Sequence, residues 1–140
     1  MTDEADLVTV VVDDNEMDRY MVRRYLSRRG EFGECIEATN GVEFIEQICD
    51  AHKLDDLSPK PILVLLDINM PMMDGFETAR ALQERIEAGN VPSSLVVMMF
   101  TSSENPDDRR KAAEIDIVKG YIVKPMDDAD VAFLLELYQH

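Results

Sequence analysis

The feature that most constrains this chain is a set of short apolar runs, each of which stops at a polar residue. Leu7–Val12 (LVTVVV), Ile62–Leu66 (ILVLL) and Leu95–Phe100 (LVVMMF) are almost free of polar side chains. Runs of this length suit strands. Strands that are apolar on both faces belong to parallel sheets covered by helices on both sides. Glu34–Ala38 and Gly120–Val123 read as two further strands. Helical patterns fill the intervals. Met17, Tyr20, Met21, Tyr25 and Leu26 form one face of a first helix from about Glu16 to Arg29, ended by Gly30. Val42, Ile45, Ile48 and Cys49 mark a second, and Phe76, Ala79, Leu82 and Ile86 a third, closed by Gly89. Asn105 and Pro106 suit the cap and first position of a fourth. Val131, Leu134, Leu135 and Tyr138 space a fifth. The polar, proline-bearing stretch from Asp50 to Pro61 reads as a loop. Strand then helix, five times over, predicts an α/β fold: a doubly wound five-stranded parallel sheet with five helices.

A chain of 140 residues suits one domain, expected over 7–138 after a short acidic tail at 1–6. The formal charge of −15 repels phosphate backbones, so no direct nucleic-acid binding is expected. The acids serve either solubility or a cation site. Cys35 and Cys49 lack metal-type spacing and sit in apolar stretches, which predicts buried free thiols and a reducing, cytoplasmic location. The N-terminus lacks the basic flank and apolar core of a signal peptide. No apolar run approaches the about 20 residues that span a bilayer, so no membrane insertion is expected.

In doubly wound folds, ligands bind beyond the carboxyl ends of the strands. Asp13 and Asp14 follow the first strand, Asp67 the third, Thr101 with Ser102 and Ser103 the fourth, and Lys124 with Pro125 the fifth. Three crowded carboxylates call for a hard divalent cation such as Mg²⁺. The Lys124 ammonium and the Thr101 hydroxyl can both hold a phosphoryl group. A carboxylate can itself accept that group as an aspartyl phosphate. Singly, each residue also fits a cap or a turn.

These motifs together resemble the receiver domain of response regulators over nearly the whole chain. VVVDDNE is similar to the family's acidic pair, VLLDINMPMMDG to its phosphoacceptor motif, MMFTSS to its switch hydroxyl and YIVKP to its lysine. The resemblance implies a flavodoxin-like fold with strand order 2-1-3-4-5. It implies Asp67 as phosphoacceptor, with Lys124 and Thr101 contacting the phosphoryl group. Mg²⁺ (or Mn²⁺) would be held by Asp13, Asp14, Asp67 and the main-chain carbonyl of Asn69. Thr101 and Tyr121 would form the switch, Tyr121 turning inward as Thr101 moves, and the Lys124–Pro125 peptide bond would be cis. The implied partner is a sensor histidine kinase or histidine phosphotransfer protein, and the chain would act as a switch that assists its own phosphorylation and dephosphorylation rather than as an enzyme. The last helix ends near His140, so a stand-alone receiver, or one cut from a longer protein, is expected. Asn69 and Ser103 occupy positions that tune the lifetime of the phosphorylated state in the family.

Two surfaces suggest partners. Five arginines and no acid lie between Arg19 and Arg29, giving either a solvated face or a dock for an acidic partner. In the last helix Phe133 and Leu137 fall off the core stripe, which predicts an apolar contact for a homodimer or a downstream target. Met72 and Met73 could be partner contacts or loop packing. The rival readings are a receiver-like interaction module that is never phosphorylated and a phosphatase of the haloacid dehalogenase type. The latter needs an acid where Asn69 stands. His52 and His140 have no phosphohistidine-donor context, and no nucleotide-binding glycine motif occurs.

Overall fold

The computed structural model describes residues 7–30, 32–57 and 60–137. The strands are β1 (Leu7–Val12), β2 (Phe32–Ala38), β3 (Ile62–Leu66), β4 (Leu95–Thr101) and β5 (Val118–Val123). They form one parallel sheet in the order β2-β1-β3-β4-β5, as expected. The helices are α1 (Glu16–Ser27), α2 (Gly41–Glu43), α3 (Gly75–Glu87), α4 (Pro106–Ala113) and α5 (Asp128–Glu136).

Because side chains alternate along a strand, each central strand feeds two cores. Val8, Val10, Val12, Val64, Leu66, Val97 and Met99 pack on one side with Phe44, Ile45 and Ile48 after α2, Phe76, Ala79 and Leu82 of α3, and Ala112 of α4. Val11, Leu63, Leu65, Met98 and Phe100 pack on the other side with Val22 and Leu26 of α1 and Val131 and Leu134 of α5. That double demand explains the unbroken apolar runs. The edge strands β2 and β5 are only partly buried, so their sequences read shorter than the strands themselves.

Several expectations change. Of the expected α1 face, Leu26 and Tyr25 pack on the core, joined by Val22, whereas Met17 and Met21 are 63% and 55% exposed and Tyr20 is exposed as well. The second helix is α-helical for a single turn and continues as π-helix through Phe44–Cys49, which carries Phe44, Ile45, Ile48 and Cys49 inward together. The loop after it is anchored: Leu54 is buried, and Arg85 of α3 donates two hydrogen bonds to Asp50, at 2.7 and 3.1 Å. Leu137, the cap that ends α5, is partly buried against the core rather than facing away from it. Phe133 is exposed, with its ring edge over Gly120 of β5. Tyr138, His140 and the acidic tail at 1–6 lie outside the described residues. Among the described residues no helix is long and apolar enough to cross a membrane.

Candidate functional site

The site is built by strand ends. β1 and β3 pair in register from Val8↔Ile62 to Val12↔Leu66, and the Asp67 N–H donates to the Val12 carbonyl at 3.0 Å. Asp13 and Asp67 therefore emerge side by side at one edge. Carboxylate oxygens of Asp13, Asp14 and Asp67 lie within 4.8 Å of one another, with Asp14 exposed and the other two buried. An all-oxygen donor set with one solvent-facing member fits a hard divalent ion that keeps water ligands. Asn69 is exposed in the loop that follows.

Asp67 is 8% exposed. Its Oδ1 accepts the Ile68 N–H at 2.8 Å, leaving Oδ2 on the side of Lys124, whose Nζ is 3.7 Å away. Burial pushes the Asp67 carboxyl pKa up, and the charge of Asp13 adds to this; Lys124 and the Thr101 hydroxyl oppose it. Thr101, fully buried at the end of β4, accepts the Ser103 N–H at 3.3 Å. The Lys124–Pro125 bond is cis, as expected.

Lys124 is half-buried and its ammonium is closely held, at 2.6 Å from Asp13 Oδ2 and 2.7 Å from Asp18 Oδ2. Burial disfavours that charge, but the hydrogen bonds to Asp13 and Asp18 and the charge of Asp67 outweigh it, so the pKa is raised. Asp18 escapes a search of strand ends because it lies on the first turn of α1. The signal that could have found it is its place one turn past the acidic pair, which returns it to the sheet edge.

Gly75 explains the end of the VLLDINMPMMDG stretch. A Cβ there would stand 2.2 Å from the Asp67 carbonyl oxygen and 2.8 Å from the Ile68 Cα. The Gly75 N–H donates to the Ile68 carbonyl at 2.8 Å, so α3 starts hard against the Asp67 backbone. The helix is capped by a reciprocal Asp74–Glu77 box. Met73 packs against the core, whereas Met72 is exposed with φ 70°.

Tyr121 is half-buried, and its hydroxyl donates to the Ser103 carbonyl at 2.8 Å. The Arg109 guanidinium lies 4.5 Å over the ring. The Ser103 hydroxyl donates to Asp108 at 2.6 Å. Thr101 and Tyr121 are thus joined through one loop. On the opposite flank the arginines of α1 are partly spent within the molecule. Arg19 binds Glu37 at 3.2 Å and the Asp13 carbonyl at 2.7 Å, and Arg23 also pairs with Glu37. Cys35 and Cys49 are free thiols, pushed up to about 11 and about 12 chiefly by burial.

Residues 9–136 match the response regulator receiver domain family. The chain is 34% identical over 122 residues to the chemotaxis protein CheY of Halobacterium salinarum, covering 87% of this chain and 88% of that protein. It is 31% identical over 121 residues to the sensor histidine kinase CheAY of Helicobacter pylori, spanning 86% of this chain but only 13% of the kinase. A CheY-like receiver domain protein from Methanospirillum hungatei superposes with a TM-score of 0.68 at 28% identity, over 95% of this chain and 94% of that one.

Proposed function

The chain belongs to the response regulator receiver family, and from that premise we propose that it is a phosphorylation-dependent signalling switch with Asp67 as its phosphoacceptor. One observation carries the reading: a buried carboxylate at the end of the central strand has two further carboxylates within 4.8 Å and a lysine ammonium 3.7 Å from its Oδ2. The donor is the phosphohistidine of a sensor kinase or phosphotransfer protein. Asp67 Oδ2 attacks phosphorus, the P–O bond forms as the P–N bond breaks, and the leaving imidazole takes a proton. Lys124 and the Thr101 hydroxyl then meet the phosphoryl oxygens, so catalysis is positioning and charge neutralisation. Asp13, Asp14, Asp67 and the Asn69 carbonyl would hold Mg²⁺ (or Mn²⁺), which supplies charge neutralisation for the transferring group. The same residues serve hydrolysis of the aspartyl phosphate.

The output runs through the loop between β4 and α4. Drawing Thr101 toward the phosphoryl group moves the segment whose Ser103 carbonyl accepts the Tyr121 hydroxyl. The surface of α4, β5 and α5, with Phe133 exposed on it, then changes shape and with it the affinity for a downstream target or a second copy. The exposed Met17, Tyr20 and Met21 on α1 offer the kinase or phosphotransfer protein an adaptable apolar contact beside the site. The free thiols favour a reducing compartment, the cytoplasm.

The test is an intact mass after incubation with Mg²⁺ and acetyl phosphate. Gain of one phosphoryl group, absent without Mg²⁺ and absent in Asp67→Asn, is the expected result. No gain under any condition overturns the proposal in favour of an interaction module that is never phosphorylated.

A further inference from the structure

Lys124 has three N–H donors. Two make short charge-assisted bonds to Asp13 and Asp18, and Asp67 is left at 3.7 Å, beyond hydrogen-bond length. The two carboxylates that hold Lys124 differ in kind. Asp13 has a side chain only 1% exposed, so losing its partner would strand a buried charge. The Asp18 side chain is 36% exposed and stands in the first turn of α1, where water and the helix dipole stabilise a carboxylate without Lys124. Asp18 is therefore the partner that Lys124 can release at low cost.

We propose that Asp18 is a positioning residue that competes with the phosphoryl group on Asp67 for the Lys124 ammonium, and so sets how strongly the unphosphorylated state is favoured. The inference rests on Asp67 being the phosphoacceptor. Lys124 spans a groove of about 120 Å³ lined by Asp18, Met21, Tyr25, Phe100 and Met126, and its ammonium sits 5.5 Å from the Phe100 ring. The Asp18–Lys124 bond thus ties the first turn of α1 to the end of β5 across this groove. Transfer of Lys124 to a phosphoryl group on Asp67 breaks the tie, so the acceptor site and the groove respond together. Neutralising Asp18 removes the competitor and leaves Asp13, Asp14, Asp67, Thr101 and Lys124 themselves unaltered.

The experiment is calorimetric titration with beryllofluoride, a mimic of the aspartyl phosphoryl group, in the presence of Mg²⁺. Wild type, Asp18→Asn, Glu16→Gln, Lys124→Gln and the Asp18→Asn/Lys124→Gln double variant are compared, each checked for folding by thermal melting. Glu16 shares the first turn of α1 but is not among the partners of Lys124, so it reports the general effect of removing one charge. Asp18→Asn is expected to bind about fivefold more tightly than wild type, the scale of one partly exposed ion pair. Glu16→Gln is expected to stay within about twofold, as screened surface charges do. In the Lys124→Gln background Asp18→Asn should change nothing. Asp18→Ser serves if the asparagine variant folds poorly. An equal gain in Glu16→Gln, a gain that persists without Lys124, or no gain at all overturns the inference while leaving the phosphoacceptor reading intact. Failure of wild type to bind beryllofluoride overturns that reading, and the inference with it.

Discussion

β3 and β5 each lead directly into a residue of the site, yet they hold it in opposite ways. All of β3 is buried, with a strand on each side, and the backbone of Asp67 is tied to Val12 and pressed by Gly75. β5 is the edge strand, only partly buried, paired with β4 alone and with a register shift between them. The proposed acceptor carboxylate thus follows the most constrained element. Tyr121 on β5 and Lys124 just past its end, the groups proposed to answer a new phosphoryl group, belong to the least constrained one. A switch needs both: a nucleophile fixed where the donor will find it, and partners whose alternative positions differ by little free energy.

The contrast can be broken by truncating each strand. Leu66→Ala empties a fully buried position in β3 and should cost about 2–5 kcal/mol. Val123→Ala removes a partly buried side chain in β5 and should cost about 1 kcal/mol. Urea titration of both variants checks the ratio, and equal losses would dissolve the distinction. Gly75→Ala sharpens it at the acceptor itself: the added methyl group must push α3 off the Asp67 carbonyl, costing about 1–3 kcal/mol and slowing phosphorylation by acetyl phosphate. Tyr121→Phe should be milder. It removes the hydroxyl that bonds the Ser103 carbonyl, costs about 0.5–1.5 kcal/mol, and speeds amide hydrogen exchange around Ser103 more than in β3. A separate effect is on pH dependence. The Cys35 thiol is held neutral up to about 11 in the fold, while an unfolded thiol ionises near about 8.5. The unfolded state therefore binds fewer protons than the folded state between these values, and stability should fall as pH rises through that window. Thermal melts of wild type against Cys35→Ser should show a smaller decline in the variant.

The central strands were legible because burial on both faces leaves few residue types available, and the acids that end them stand out against that background. The edges of the sheet were less so: Phe32 and Val118 begin strands that the apolar pattern starts later. In α1, the i, i+3, i+4 spacing of Met17, Tyr20 and Met21 was real, but periodicity does not say which stripe meets the sheet, and Val22 with Leu26 does. Leu137 likewise looked like surface on a helical wheel and is partly buried against the core where the helix stops. The site residues found by their place after strands all lie at one edge of the sheet. Asp18 did not follow a strand, and the steric demand at Gly75 depends on the Asp67 and Ile68 backbone, six loop residues before its own helix, which spacing alone cannot convey.

The central claim is that Asp67 itself receives the phosphoryl group. Borohydride reduction of the protein after treatment with Mg²⁺ and acetyl phosphate converts an aspartyl phosphate to homoserine, which peptide mass mapping locates. Homoserine is expected at position 67, dependent on Mg²⁺. Homoserine at Asp13 or Asp14 instead, or reduction that leaves Asp67 unchanged in protein shown to carry a phosphoryl group, would contradict it.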